Sequence, residues 1–307
     1  MINMRNMTKA ISIAVCMTAA AAFTVPVFAG TWVLDEWGYW YGENDGSYSV
    51  GWELIDGSWY HFNEYGYMQT GWINDEGLAY LLDENGVMQT GWQKYQNTWY
   101  YFYPDGHMAS DGWVSDNYGR LAYVGPDGVY NEKALTWIGD SLSYLPDAYN
   151  AITSTFFIGD MEAKSEKKTM TDSEYNPSGL SVAQSMVNTG RMHEYLVFEQ
   201  GTNDSGMTYD QAVEAVACLR DIIGYETKLV LITCFETDQY VTWEKFGELN
   251  QAYRDMAAND PNTAVADWAA FCDGYNDVLD GMHQTKSGAI KYARLIADVI
   301  AAYWPAY

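Results

Sequence analysis

The sequence predicts an α/β domain built on a parallel sheet, preceded by a β-hairpin solenoid of aromatic repeats. Three observations carry that prediction. Gly-Trp pairs recur at Gly51, Gly71, Gly91 and Gly112, spaced by 20, 20 and 21 residues. From Leu135 onward, short apolar runs alternate with stretches of helical period. Aromatic residues make up 16% of the chain, with 13 Trp and 26 Tyr. A soluble core rarely needs so many, so a repeated aromatic architecture or a stacking surface is implied.

Length and charge narrow the classes. The 307 residues exceed one comfortable core and suggest two folding units or three. Hydrophobic residues at 48% and charged residues at 19% argue against wholesale disorder. Sixteen Lys and Arg against 41 Asp and Glu give a formal net charge of −25. Such a surface cannot replace the counterions of a nucleic-acid backbone, so no nucleic-acid partner is expected.

Residues 1–29 read as a signal peptide. Arg5 and Lys9 supply a positive start, Ile11 to Phe28 an apolar stretch, and Val27 and Ala29 the small residues a signal peptidase reads, placing a cut before Gly30. Pro26 and the shortness of the run argue against a membrane anchor, and Cys16 falls within the leader. The mature chain then carries −27 and no other segment apolar enough to span a bilayer, so it is expected to be secreted, in solution or attached to the cell surface. Cys218, Cys234 and Cys272 are too few and too scattered for a disulfide framework. They read as buried small hydrophobes, with one bridge among them left open.

Residues 30–130 are the repeats. Between Gly-Trp pairs runs a pattern such as Asp56-Gly57-Ser58-Trp59-Tyr60-His61-Phe62, then Asn63-Glu64-Tyr65-Gly66, then Met68-Gln69-Thr70. Alternating aromatics, a turn and another short strand describe one β-hairpin per repeat. Gly38-Tyr39-Trp40-Tyr41 begins a worn copy before the first clear repeat, and residues 119–130 form a worn copy after the last. One such hairpin cannot bury an aromatic face alone, so neighbours must stack.

These repeats resemble the cell-wall-binding family typified by choline-binding and glucan-binding modules, with good coverage from Gly51 to Gly112. The resemblance implies attachment to a cell-wall or extracellular polysaccharide or a teichoic-acid-type polymer. In that family, aromatic cages take the quaternary ammonium of choline by cation–π attraction. Trp59, Trp72 and Tyr80 match the pattern at the first junction, and Trp92, Trp99 and Tyr100 further on. Ala79 stands where neighbouring repeats have Trp59 and Trp99, so one cage is expected to be incomplete. The other reading stays open, that these aromatics only build the solenoid core.

Residues 131–307 change texture. Leu135–Ile138, Phe156–Ile158, Tyr195–Phe198, Leu229–Ile232 and Ala264–Asp267 each read as a buried strand. Helical period marks Tyr209–Ile223, Val241–Ala258 and Lys286–Ala302, with Thr208 and Thr285 at N-cap positions and Gly224 at a C-cap. Strands alternating with helices mean a parallel sheet covered on both faces, with reactive residues at the carboxyl ends of its strands.

Three motifs fall near those ends: Gly139-Asp140-Ser141-Leu142, Gly201-Thr202-Asn203-Asp204 and Asp280-Gly281-Met282-His283. Acyl transfer from an ester needs a nucleophile, a base, a group that orients the base, and donors for the oxyanion. Ser141 can be the nucleophile, His283 the base and Asp280 its orienting partner. Asn203 and the Ser141 N–H can supply the oxyanion donors. Each motif alone is most often a turn, a loop or a capping pair; their conjunction, in one order, raises the odds. His61 and His107 belong to the repeats, and His193 precedes a strand without an acidic partner in obvious register. Asp140, Asp204, Asp280 and His283 could in principle gather a hard cation, but none of the four stands in an H-x-H or D-x-H pairing and a metal would leave Ser141 without a task.

Residues from about Leu135 to Ala302 resemble the SGNH hydrolases, also called GDSL esterases. Within them they resemble the branch of glycan O-acetyl esterases and surface-polymer acyltransferases, which shares the Gly-Thr-Asn stretch, Asp267-Trp268 and the Asp280/His283 pair. The resemblance implies a three-layer flavodoxin-like fold without metal or cofactor, and a two-step acyl-enzyme mechanism. It gives Ser141, His283 and Asp280 the triad roles and Asn203 an oxyanion role. Two departures stand out. The family's second block supplies a Gly or Ser donor, and in Glu162–Lys167 only Ser165 matches. Gln284 stands where Pro often follows the histidine. The expected protein is a surface-associated serine esterase or acyltransferase. Its rival is a non-catalytic wall-binding protein with a degenerate scaffold.

Overall fold

A computed structural model describes residues 30–115, 119–156, 158–164, 168–172, 177–204, 206–235, 246–279 and 283–306. The chain divides into two units, Met1–Gln69 and Thr70–Tyr307. The leader expected over 1–29 lies outside the described residues.

In the first unit, β1 (Thr31–Leu34) pairs antiparallel with β2 (Tyr39–Gly42), and β3 (Gly51–Ile55) with β4 (Ser58–Phe62). Asp56 and Gly57 close the second hairpin at positive φ, 51° and 84°, the two-residue turn whose twist suits the flanking strands. Asn63 folds the return, its side-chain oxygen accepting from the N–H groups of Tyr65 and Tyr67 at 2.9 and 3.0 Å. Trp32 of the first hairpin covers Tyr60 and Phe62 of the second, with ring centres 5.0 and 5.7 Å away. The aromatic repeat thus builds its core by stacking one hairpin on the next.

The second unit repeats this in β5 (Gly71–Asp75) with β6 (Leu78–Leu82) and β7 (Gly91–Tyr95) with β8 (Thr98–Phe102). Met108 donates its N–H to the Ala79 carbonyl at 2.8 Å, tying one hairpin to the next. A three-stranded sheet follows, with β10 (Leu121–Val124) between β9 (Gly112–Ser115) and β11 (Tyr130–Asn131).

Apolar runs then form five parallel strands: β12 (Leu135–Gly139), β13 (Asp160–Ala163), β14 (Tyr195–Glu199), β15 (Lys228–Ile232) and β16 (Thr263–Ala266), in the order β13-β12-β14-β15-β16. Eight helices accompany them among the described residues: α1 (Ser141–Tyr144), α2 (Pro146–Thr155), α3 (Gly179–Asn188), α4 (Tyr209–Ile223), α5 (Gly247–Asn259), α6 (Trp268–Phe271), α7 (Gly274–Asp277) and α8 (Lys286–Tyr303). Alternation along the strands sorts the core into two layers. Trp137, Val197 and Val230 pack with residues of α2 and α8, whereas Ile138, Leu196, Leu229 and Leu231 pack with residues of α3, α4 and α5. The result is the three-layer, flavodoxin-like arrangement. Strand order reverses between β12 and β14, and the crevice beyond their carboxyl ends is where such sheets place a ligand.

Two expected elements differ. Phe156 is not in a strand: it follows the last residue of α2 and is buried against Trp137, and the edge strand runs instead through Asp160–Ala163. The expected helix Val241–Ala258 begins at Gly247, because Phe246 leaves helical geometry to bury its ring; residues 241–245 lie outside the described residues.

The last sheet of hairpins shares its core with the α/β domain. Trp113, Leu121 and Tyr123 are buried in one cluster with Leu135, Trp137 and Tyr195. The C-terminal residues run alongside β9: Trp113 bridges Pro305 in parallel, and Tyr103 Oη donates to the Ala306 carbonyl at 3.1 Å.

Candidate active site

Ser141 owes its position to a turn that only glycine permits. A Cβ at Gly139 would lie 2.6 Å from Ser143 Oγ and 2.8 Å from Glu199 Oε2. The chain therefore leaves β12 tightly against buried polar groups and starts α1 at Ser141. Asp140 caps that helix, accepting from the Leu142 N–H at 3.0 Å.

Beneath the turn lies a network of buried hydrogen bonds. Glu199, last residue of β14, accepts from the Asp140 N–H at 3.1 Å and from Ser143 Oγ at 2.5 Å. Trp137 Nε1 donates to Ser143 Oγ at 2.8 Å, and the Thr202 hydroxyl donates to Asp140 Oδ2. The Asn203 amide reaches the same Asp140 oxygen at 3.4 Å. Burial pushes both carboxyls up, and the Asp140 charge pushes Glu199 further, well above its ordinary value. Of the two, Glu199 is pushed the further towards its protonated form.

His283 arrives from the other side. Its segment is pinned by a bridge between Val278 and Gln284 and by the Leu279 N–H donating to the His283 carbonyl at 2.8 Å. Thr285 caps α8, accepting from the Gly288 N–H at 3.0 Å. A Cβ on Gly288 would come within 1.9 Å of the Asp277 carbonyl oxygen, so this glycine lets the helix close on the segment that precedes the histidine. Asp277 is 1% exposed; burial pushes its carboxyl up, but hydrogen bonds from Lys291 and the Asp273 N–H outweigh this and hold it below the usual range. The outcome is that His283 Nε2 stands 3.0 Å from Ser141 Oγ, across 142 residues of sequence. That is within the reach a general base needs.

Asp280 and Ser165 lie outside the described residues. Among the described residues, no group of His, Cys, Asp and Glu gathers to hold a metal, no disulfide joins Cys218, Cys234 and Cys272, and no helix is long and apolar enough to cross a membrane. His193 does have an acidic partner: Asp160 Oδ2, at 2.9 Å, on the edge strand that the sequence hid. Sequence reasoning also missed Glu199, Ser143 and Thr202; the available signal was an acid closing an otherwise apolar run just before Gly201.

The repeat aromatics are partly brought together. Trp72 meets Tyr100 edge-to-face at 5.0 Å, with Tyr95 at 5.8 Å. Trp72 and Tyr80 lie on opposite faces of their hairpin, since the register pairs Trp72 with Leu81 and Ile73 with Tyr80. Trp92 packs on Tyr101 and Tyr130, and Trp99 has the Lys94 ammonium 5.8 Å from its ring centre. Trp59 belongs to the first unit, where it is 43% exposed.

Residues 49–88 and 70–113 match the choline-binding repeat. Among solved structures similar to these repeats, CbpJ of Streptococcus pneumoniae TIGR4 is 33% identical over 34% of this chain and 36% of its own, with a TM-score of 0.32. The pneumococcal cell-wall endolysin of phage Cp-1, complexed with choline, is 40% identical over 31% of this chain and 28% of its own, with a TM-score of 0.28. The C-terminal catalytic domain of peptidoglycan O-acetyltransferase A (OatA) from Streptococcus pneumoniae is 18% identical over 57% of this chain and 97% of its own, with a TM-score of 0.46. The chain spans about a third of the length of the choline-binding proteins it matches. No curated protein matches it.

Proposed function

We propose that the chain is an exported serine esterase or acyltransferase acting on O-acyl esters, chiefly O-acetyl groups of a cell-wall or extracellular glycan. Residues 1–29 would be its leader, 30–130 its wall-binding repeats and 131–307 its catalytic domain. The observation that carries the reading is the 3.0 Å approach of His283 Nε2 to Ser141 Oγ at the switch point of the sheet. The choline-binding repeats support attachment to a choline-bearing wall polymer, which would bring the ester within reach.

The chemistry proceeds in two steps. Neutral His283 takes the Ser141 proton as Oγ attacks the acyl carbon. The Ser141 N–H and the Asn203 amide stabilise the oxyanion, and collapse expels the sugar hydroxyl, which His283 protonates. Water or a second hydroxyl then attacks the acyl-serine by the same route in reverse, giving hydrolysis or transfer. Asp280, three residues before His283, would hold Nδ1–H and keep Nε2 free to accept.

Hydrolysis of p-nitrophenyl acetate by the wild type and by Ser141→Ala tests this. The substitution is expected to lower kcat by about a thousandfold or more. Equal rates would leave the rival, a non-catalytic wall-binding protein.

A further inference from the structure

A cavity of about 580 Å3 opens beside the nucleophile's turn, lined by Tyr144, Tyr149, Asn150, Met161, Glu162 and Lys164. Two observations join it to the catalytic turn. Tyr144 stands three residues after Ser141 on α1, and the Lys164 N–H donates to the Gly139 carbonyl at 3.3 Å, two residues before Ser141. The walls are therefore α1, α2 and the carboxyl end of β13, the sheet edge nearest the nucleophile. Tyr144 and Tyr149 are 54% and 48% exposed, although the same domain buries Tyr195, Tyr253 and Tyr292 almost completely. Two large aromatic rings left open at the rim of a concave site do no work for the core.

We propose that this cavity is the saccharide subsite, holding one uncharged pyranose ring of the ester-bearing glycan against Tyr144 and Tyr149. The inference rests on the esterase reading above. A pyranose has an apolar C–H face and a rim of hydroxyls. A tyrosine ring matches the first, and its own hydroxyl, the Asn150 amide, Glu162 and Lys164 match the second. Met161 supplies an adaptable apolar wall. The ring is uncharged because, among the described residues that line the cavity, the one cation is already paired: Lys164 Nζ lies 3.5 Å from Glu162 Oε1. A uronate or a phosphate would meet repulsion there.

The test uses the full chain carrying Ser141→Ala and chitotetraose, a neutral N-acetylglucosamine oligomer, titrated by calorimetry. The same titration is run with Tyr144→Ala and Tyr149→Ala added, their folding checked by the unfolding midpoint. Saturable binding weakened about tenfold by the pair is expected, since two aromatic contacts are removed. With Ser141 restored, kcat/KM on an O-acetylated chitooligosaccharide should fall by a similar factor relative to that on p-nitrophenyl acetate. Equal affinity with and without the tyrosines, or no saturable binding, overturns the subsite. Failure of the esterase reading shows separately, as p-nitrophenyl acetate rates that do not depend on Ser141.

Discussion

Glu199 Oε2 accepts the backbone N–H of Asp140 at 3.1 Å, joining the ends of β14 and β12 beneath the serine. The bond fixes the backbone one residue before Ser141, so a carboxyl remote in sequence governs where that serine stands.

Glu199→Ala would leave the Asp140 N–H and the Ser143 hydroxyl buried without an acceptor. We expect a loss of about 3 kcal/mol, measured from the urea midpoint. Glu199→Gln keeps the volume and an acceptor oxygen and should lose less than half as much. Equal losses would mean that the site is only a space to be filled.

The same residue sets a pH dependence. Burial raises the Glu199 carboxyl, so the folded state holds its proton where the unfolded chain, ionising at about 4 to 5, has released it. Its contribution is complete below that range and declines as pH rises towards the folded value, by about 1.4 kcal/mol per unit in that window. Asp267 has the opposite sign: the hydrogen bond from Arg254 holds it below the usual range, so its contribution exists above that range and is lost on acidification. From about pH 7 down to about pH 5, the wild type is expected to gain stability relative to Glu199→Gln as pH falls, a comparison that isolates this carboxyl. A constant difference would refute the assignment.

Asn203→Ala should lower kcat by about a hundredfold with little change in KM, the signature of a donor used in the transition state. An effect on KM alone would move Asn203 from oxyanion stabilisation to ground-state binding.

Saturating choline is expected to raise the thermal midpoint of the wild type, because a ligand that binds only the folded repeats stabilises them by mass action. Trp72→Ala should reduce that rise, since Trp72 meets Tyr95 and Tyr100 of the next hairpin. An undiminished rise would assign Trp72 to the solenoid core alone.

Trp113→Ala should cost about 3 to 5 kcal/mol, because the ring is buried and sits edge-to-face on Tyr195 at 5.1 Å. In calorimetry, the α/β domain and the hairpins that share its cluster should melt together in the wild type and separately in the variant.

Elements whose pattern is set by near neighbours were readable from the sequence. The Gly-Trp period located the hairpins, and apolar runs located four of the five parallel strands. Asp160–Ala163 escaped because an edge strand is only half buried and can carry Asp and Glu, while Phe156 looked like a strand because burial at a helix end leaves the same apolar mark. The serine and histidine were visible as motifs. Glu199 was not: its meaning lies in partners 56 and 59 residues away, Ser143 and Asp140. Tyr80 looked like a neighbour of Trp72 until the hairpin register put the two on opposite sides.

The segment Trp304–Ala306 beside β9, together with the cluster around Trp113 and Tyr195, fastens the α/β domain to the preceding hairpins at two places. A domain on a loose tether would sweep every direction within its radius; one bolted to its mount points a single way. The bearing of the Ser141 face relative to the sheet it is bolted to is therefore settled when the chain folds, and on the proposed esterase reading an ester lying behind the mount would stay out of range however abundant it is.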